Sequence, residues 1–179
     1  TDPSEAARLA GAANALRFDG NRILAQNFDG TGLVNDIQRN LAQAIRGRRV
    51  LILGAGGATR GAILPIAGER PATLAVANRT AGKAHALRED FAARAALQTG
   101  GYTDLAGERF DIVINATPVG MKDSDPYPLQ VEKLDPRMFC GCVITAPAIT
   151  PFIAAVWPLL RAPLLMSFIC CSASSLATP

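Results

Sequence analysis

The sequence predicts an α/β protein built on a doubly wound, mostly parallel sheet. Three short apolar runs lack polar alternation, which is typical of strands covered on both faces: RVLILG (49–54), ATLAVAN (72–78) and FDIVINA (110–116). Helical patterns separate the first two runs and follow the second, at 58–68 and 80–95. Strands that alternate with helices are joined by crossover connections, which place the strands parallel in one sheet.

The same alternation continues towards the C-terminus. Residues 96–99 are predicted as a short strand, and MFCGCVIT (138–145) as a further strand of the sheet. A helix is predicted to begin within TPFIAAVWPLL (150–160). The doubly wound unit therefore extends over roughly the last two thirds of the chain.

The first residues have a different pattern. Thr1 to Ala10 is predicted as a short helix, capped by Asp2 with Pro3 in its first turn. Residues 12–18 and 22–28 are predicted as two strands joined by a turn at Asp19-Gly20-Asn21.

An amphipathic helix is predicted between these strands and the doubly wound unit. From Gly32 to Arg46, apolar residues fall at every fourth position and form one stripe: Leu33, Ile37, Leu41 and Ile45.

Composition excludes several classes of protein. The net charge is +3, and no basic stripe with interleaved aromatic residues is present, so we expect no nucleic-acid binding. The four cysteines lack the spacing and the histidines of a zinc site, so we expect no bound metal. We expect their thiols to be reduced, as in a cytoplasmic protein. The apolar segment 152–171 contains Arg161, Pro158 and Pro163, and we therefore expect no membrane span.

The glycine loop after the first apolar run predicts a dinucleotide site. In Gly54-Ala55-Gly56-Gly57-Ala58-Thr59 the first glycine permits a tight turn, and Gly56 removes a side chain that would obstruct a pyrophosphate. Thr59 occupies the third position, where a small residue lets the helix pack closely on the strand. The phosphates would meet backbone N–H groups at the positive end of the helix. A flexible surface loop is the competing interpretation.

The end of the next strand indicates which nucleotide is bound. An NAD site usually has a carboxylate there, to accept hydrogen bonds from the ribose hydroxyls. This strand is followed instead by Asn78, Arg79 and Thr80, with Lys83 one turn into the helix. Guanidinium and ammonium groups suit a 2′-phosphate, so the sequence predicts NADP. An ordinary solvated helix start is the alternative, although cations are unfavourable at that end of a helix.

Six short motifs, in this order and spacing, resemble those of the shikimate dehydrogenase family. They are Gly11-Ala-Ala-Asn14, Asn27-Phe-Asp29-Gly30, Gly54-Ala-Gly-Gly-Ala-Thr-Arg-Gly61, Asn78-Arg-Thr80, Asn115-Ala-Thr-Pro-Val-Gly-Met121 and Thr150-Pro-Phe152. The resemblance covers roughly residues 5 to 160. It implies a Rossmann-like fold and an enzyme that reduces 3-dehydroshikimate to shikimate with NADPH.

The resemblance also implies roles for single residues. Asn14 matches a substrate-binding asparagine, and Asp29 matches the catalytic aspartate that holds a substrate hydroxyl beside a lysine. The remaining matches are on the cofactor: Gly54, Ala55, Gly56, Gly57 and Ala58 for the pyrophosphate, Asn78, Arg79, Thr80 and Lys83 for the 2′-phosphate, and Ala116, Thr117 and Val143 near the nicotinamide and its ribose. A turn or helix-capping aspartate is the structural alternative for Asp29.

The chain also departs from the family pattern. The family carries a Ser-x-Ser pair and the catalytic lysine ahead of its Gly-Ala-x-Asn motif, whereas the lysines here are Lys83, Lys122 and Lys133. We therefore predict a remnant of the substrate domain at 1–30, a linker helix at 31–47, the NADP-binding domain at 48–160 and a C-terminal segment of unclear structure at 161–179. Turnover of shikimate by this chain should be impaired.

Three alternatives for function and assembly stay open at this point. Phe28 stands where the common form of the family has threonine, which suits a branch that acts on quinate or another cyclic hydroxy acid. The chain could instead be a non-catalytic module that binds NADP or a protein partner. Its state of assembly is expected to be monomer or homodimer.

Overall fold

The computed structural model describes residues 1–105, 107–118 and 139–142, the last four as backbone only. Within these residues the chain forms two sheets, one of three strands and one of five. The small sheet is built from the first 26 residues, and the large sheet begins at residue 49.

The large sheet has the predicted parallel, doubly wound arrangement. Its strands are β4 (Arg49–Leu53), β5 (Thr73–Ala77), β6 (Gln98–Gly100), β7 (Ile112–Asn115) and β8 (Phe139–Cys142). They lie in the order β6-β5-β4-β7-β8, and every neighbouring pair is parallel. The chain moves outward from β4 through β5 to β6 and then crosses back to β7. The point where the strand order reverses therefore lies between β4 and β7, where open α/β sheets bind their ligands.

Two helices cross over between these strands, α3 (Gly57–Gly68) and α4 (Ala81–Phe91). The apolar runs are buried as their lack of polar alternation predicts, and Ile52, Val76 and Ile114 lie in the core. From α3 and α4, Ile63, Ile66 and Phe91 pack against the same core. The sequence prediction of an α/β parallel sheet is confirmed.

The small sheet contains β1 (Asp2–Pro3), β2 (Ala15–Asp19) and β3 (Arg22–Gln26), in the order β1-β3-β2. The predicted hairpin of β2 and β3 is present and antiparallel. The predicted helix start is wrong, because Asp2 and Pro3 pair with Leu24 and Ala25 of β3. Helix α1 runs from Glu5 to Ala10 instead, and the Ser4 side chain caps it by accepting from the Ala7 N–H.

The predicted linker helix is shorter than expected and begins earlier. Helix α2 (Asp29–Asn35) continues into one π-helical turn (Asp36–Asn40), so that helical structure ends before Leu41. Ala42 has a φ of 50°, a left-handed conformation in which a helix cannot continue. Ile45 is nevertheless buried in the core. The apolar stripe predicted burial correctly, but not the backbone conformation beyond residue 40.

Candidate functional site

The carboxyl ends of β4 and β7 meet at Gly54 and Thr117. Gly54 is buried and has a φ of 104°, a conformation that favours glycine. A Cβ at this position would lie 2.8 Å from the Thr117 Cγ2 and 3.0 Å from the Ala116 carbonyl oxygen. Only a residue without a side chain therefore allows the two strand ends to come this close.

Buried polar groups fix the β7 side of this junction. The Asn115 Oδ1 accepts hydrogen bonds from the Thr117 N–H, at 3.0 Å, and from the Thr117 hydroxyl, at 2.7 Å. Both residues are buried. Because buried polar groups need hydrogen-bond partners, the two bonds between Asn115 and Thr117 fix the conformation of the turn after β7, beside the glycine loop.

The glycine loop packs tightly at Gly54 and Thr59 but leaves open space at Gly56 and Gly57. The Thr59 hydroxyl donates to the Gly54 carbonyl at 2.9 Å, and Thr59 is fully buried, so the third position of the loop is a tight helix–strand contact. At Gly56 and Gly57, in contrast, an added Cβ would meet nothing within 4 Å. No side chain caps α3, and its first turn holds no acidic residue. Helix starts of this kind attract anions through backbone N–H groups and the helix dipole.

The predicted 2′-phosphate residues gather at the end of β5. The Asn78 side chain donates to the Thr80 carbonyl at 2.9 Å, which shapes the turn into α4. Arg79, Thr80 and Lys83 are exposed beside that turn, and α4 has no side-chain cap and no acidic residue in its first turn. Two cations at the positive end of a helix repel its dipole, and a bound dianion would relieve this.

Tyr102, which follows β6, lies against Arg79. Burial raises the pKa of Tyr102 above its ordinary value, while a hydrogen bond with the Arg79 backbone and the charge of the Arg79 guanidinium act in the opposite direction. The phenol is therefore neutral at physiological pH and bonds to the backbone that carries the arginine. No motif in the sequence marked Tyr102, since the contact depends on the pairing of β5 with β6.

Asn14 and Asp29 form a second polar group, at the end of the small sheet. The Asn14 Nδ2 donates to the Asp29 Oδ1 at 2.6 Å, and the Asn14 Oδ1 accepts from the Phe28 N–H at 3.0 Å. The Asn27 Oδ1 accepts from the Asp29 N–H at 3.2 Å. Asn14 is exposed and Asp29 is half-buried, so the pair is accessible. The strand predicted over 22–28 ends at Gln26, and Asp29 is the first residue of α2.

Two glycines bring this pair close to the helix that follows the glycine loop. A Cβ on Gly30 would lie 2.2 Å from the Gly61 carbonyl oxygen, and one on Gly61 would lie 3.2 Å from the Asn27 Oδ1. Helices α2 and α3 therefore cross in direct backbone contact. Because Asp29 immediately precedes Gly30, this crossing sets its place relative to the glycine loop.

Comparison with known proteins decides the family. A family model described as Shikimate / quinate 5-dehydrogenase matches residues 36–121. A shikimate dehydrogenase (NADP(+)) from Laribacter hongkongensis is 45% identical over 151 residues, which is 84% of this chain and 55% of that protein. The chain belongs to the shikimate dehydrogenase family. It spans about half the length of the curated relatives it matches.

Solved structures with the same fold include a shikimate dehydrogenase. An Ael1 enzyme from Pseudomonas putida is 41% identical and superposes with a TM-score of 0.81, over 92% of this chain and 60% of that one. A shikimate dehydrogenase in complex with NADP+ is 26% identical, with a TM-score of 0.78 over 93% of this chain and 59% of that one. The resemblance found in the six motifs is thus confirmed at the level of family and fold.

The structure places most of the sequence-predicted site residues in two groups. One joins Gly54, Ala55, Gly56, Gly57 and Ala58 to Ala116 and Thr117 at the β4–β7 junction, with Asn78, Arg79, Thr80 and Lys83 at the end of β5. The other is the pair Asn14 and Asp29. Val143 and Thr150-Pro-Phe152 lie outside the described residues. Asn115 lay within a quoted motif, although the sequence did not mark it as the residue that holds Thr117.

The part of the chain that the structure describes contains neither a candidate membrane helix nor a candidate metal cluster. No helix there is both long enough and apolar enough to cross a membrane, and the apolar segment 152–171 lies outside it. Among the same residues, no group of three or more histidine, cysteine, aspartate or glutamate side chains could hold a metal ion.

Proposed function

We propose that this chain provides the NADP-binding half of a shikimate dehydrogenase, which interconverts 3-dehydroshikimate and shikimate in chorismate and aromatic amino acid biosynthesis. The observation that carries the proposal is the glycine loop at the β4–β7 junction. Gly54 is locked against Thr117, while Gly56 and Gly57 leave open space at the start of α3. That space is where side chains would otherwise exclude a pyrophosphate, so the residues present fit the dinucleotide.

A preference for NADP over NAD follows from the charges at the end of β5. Arg79 and Lys83 would hold the 2′-phosphate, and Thr80 would donate its hydroxyl. Tyr102, which follows β6, lies beside Arg79 at this edge of the sheet. The shikimate dehydrogenase relatives that are named for NADP(+) support this preference.

On the substrate side we assign the work to Asn14 and Asp29. The nicotinamide supplies or accepts the hydride when the cofactor is bound. The Asp29 carboxylate would accept a hydrogen bond from a substrate hydroxyl, and Asn14 would orient that carboxylate through its 2.6 Å bond. The family carries its catalytic lysine ahead of the Gly-Ala-x-Asn motif, whereas Lys83, Lys122 and Lys133 all follow the glycine loop in sequence. We therefore expect the 179-residue chain to bind NADP but to turn over shikimate slowly.

Two alternatives use the same residues differently. Quinate or another cyclic hydroxy acid presents the same vicinal hydroxyls to Asp29, and the family model's description includes quinate. A non-catalytic module that binds a protein partner is favoured by the exposed Leu16, Phe18 and Phe28. A cytoplasmic location and a monomeric or homodimeric state remain predictions.

Calorimetric titration of the chain with NADP and with NAD tests the proposal. We expect NADP to bind at least about tenfold more tightly than NAD, because charge-assisted bonds to the 2′-phosphate are absent with NAD. Absence of NADP binding would overturn the proposal. Absorbance at 340 nm with shikimate or quinate then separates the substrates, and a stable dimer that ignores both would favour the module.

A further inference from the structure

Arg60, the first residue of the Arg-Gly pair that closes the glycine motif, makes three contacts with two other segments of the chain, α1 and α4. Its Nε donates to the Leu9 carbonyl at 2.8 Å, and its Nη1 lies 2.8 Å from the Asp90 Oδ2. The guanidinium carbon also lies 5.8 Å from the centre of the Phe91 ring. A planar guanidinium can satisfy all three contacts together, which an ammonium group cannot.

The contact with Leu9 controls the end of helix α1. Carbonyls in the last turn of a helix lack intrahelical partners, and a cation there also interacts favourably with the helix dipole. The Gly11 N–H satisfies the Arg8 carbonyl, and the Ala12 N–H satisfies the Ala7 carbonyl. The Leu9 carbonyl receives the Arg60 side chain instead. Helix α1 is therefore anchored to α3 at its carboxyl end.

The loop that leaves α1 leads directly to Asn14. It is held on the other side by Asn27, whose Nδ2 donates to the Ala12 carbonyl at 3.2 Å, and by the Asn14 N–H, which donates to the Gln26 carbonyl at 2.9 Å. Arg60 thus fixes one end of the segment that carries Asn14. Its neighbour Gly61 contacts the segment that carries Asp29, through Gly30.

We propose that Arg60 is a positioning residue that holds the Asn14–Asp29 pair in place relative to the glycine loop, by anchoring the carboxyl end of α1 to α3. This rests on the proposed function for the significance of the pair, although the anchoring itself does not. Asp90 and Phe91 of α4 orient the guanidinium of Arg60. The Asn14–Asp29 pair is therefore positioned by contacts with α3 and α4, the two helices that flank the proposed cofactor site.

Amide hydrogen exchange on the 179-residue chain tests the anchoring. In Arg60→Met, we expect the amides of Asn14, Phe28 and Asp29 to exchange about tenfold faster, since losing a charge-assisted hydrogen bond favours local opening by about that factor. The amides of Gly54 and Ala116, which bond to the Ala77 and Leu53 carbonyls, are the internal reference and should not change. Arg60→Lys should give an intermediate rate.

Arg94→Met is the matched control. Arg94 pairs with Glu5 of α1, so this variant also removes an arginine bond to α1 but touches neither α3 nor the carboxyl end of α1. We expect no acceleration at Asn14, Phe28 or Asp29. Equal acceleration in both variants, acceleration of the reference amides, or no acceleration in Arg60→Met would each overturn the proposal.

NADP titration separates this inference from the proposed function. We expect Arg60→Met to bind NADP within about threefold of the unchanged chain, because its side chain points to Leu9 and Asp90 and the loop N–H groups are retained. If the unchanged chain fails to bind NADP, the proposed function fails while the exchange result still decides the role of Arg60. Loss of NADP binding in Arg60→Met alone would contradict a purely positioning role.

Discussion

The two sheets of this molecule differ in how much of their own apolar surface they cover. In the large sheet, β4 and β7 are buried almost throughout, with helices packed against the core. In the small sheet, every residue of β2 after Ala15 is exposed, and Leu16 and Phe18 retain 58% and 71% of their accessible surface. The large sheet thus forms its own core, whereas the small sheet leaves one strand exposed, and the helices next to it in the chain, α1 and α2, make the contacts with α3.

The two regions therefore contribute different parts of the candidate site. The large sheet supplies the close junction of Gly54 with Ala116 and Thr117, which is built from the ends of its own strands β4 and β7. Asn14 and Asp29 lie beside the small sheet, just before β2 and at the start of α2, and the close crossing of Gly30 and Gly61 together with the proposed anchor at Arg60 sets their position. Stability should therefore respond most strongly to changes in the first region, whereas changes at the contact between the two regions should have a smaller effect on stability and should also alter the alignment of the polar pair.

The largest effect should come from the buried sheet. Ile52→Ala removes a fully buried side chain from the core, and we expect the free energy of unfolding to fall by about 2–5 kcal/mol. Leu16→Ala on β2 should change it by less than about 0.5 kcal/mol, because that side chain is exposed. Urea denaturation of both variants measures this contrast, and similar losses would contradict the difference between the sheets.

A smaller loss should come from the contact between α2 and α3. In Gly30→Ala the new Cβ would lie 2.2 Å from the Gly61 backbone oxygen, and separating the helices should cost about 1–3 kcal/mol. Gly32→Ala, in the same helix, meets nothing within 4 Å and should be neutral or stabilising by up to about 1 kcal/mol. Thermal unfolding distinguishes them; a stable Gly30→Ala would rule out the close crossing.

The end of β5 should affect binding rather than stability. Arg79→Met removes an exposed guanidinium, so we expect NADP affinity to fall about 10- to 100-fold while NAD affinity and the melting temperature stay unchanged. Titration with both nucleotides supplies the control within one variant. An equal loss for NAD and NADP would show that Arg79 does not read the 2′-phosphate.

The smallest effect concerns Tyr102. Because burial raises its pKa in the folded chain, its contribution to stability is complete below the ordinary tyrosine value of 10.0 and is lost as the pH rises through the folded value. Tyr102→Phe cannot ionise, so its stability should decline less steeply above pH 10. Denaturation at a series of alkaline pH values measures the two slopes, and identical slopes would mean that Tyr102 ionises equally in both states.

The sequence predicts the features that are determined by residues close together in the chain, and not those that depend on contacts between distant segments. The parallel strands, the glycine loop and the β2–β3 hairpin follow from short patterns, and the structure contains them. The predicted linker helix was too long because the apolar stripe that ends at Ile45 indicates which residues are buried, and not that the backbone is helical. The left-handed backbone of Ala42 interrupts the helix before that residue. Ser4 displaced Asp2 as the helix cap because β3 pairs with Asp2, a contact that no local pattern encodes.

The site divides in the same way. The tight turn at Gly54 could be predicted from the loop sequence, and the structure has it there; the role of Gly56 at a pyrophosphate stays a prediction. Arg60 and Tyr102 could not, since their partners Leu9 and Arg79 are brought to them only by the packing of α1 on α3 and of β6 on β5.

The most direct test of the account is NADP titration of Gly56→Ala beside Gly68→Ala. Gly56 immediately precedes α3 and Gly68 is its last residue; an added Cβ meets nothing within 4 Å at either, so both variants should fold with nearly unchanged stability. We expect Gly56→Ala to lose NADP affinity by about 100-fold or more, because its methyl group would occupy the place proposed for the pyrophosphate, and Gly68→Ala to bind normally. Normal NADP binding by a folded Gly56→Ala would contradict the assignment of the glycine loop.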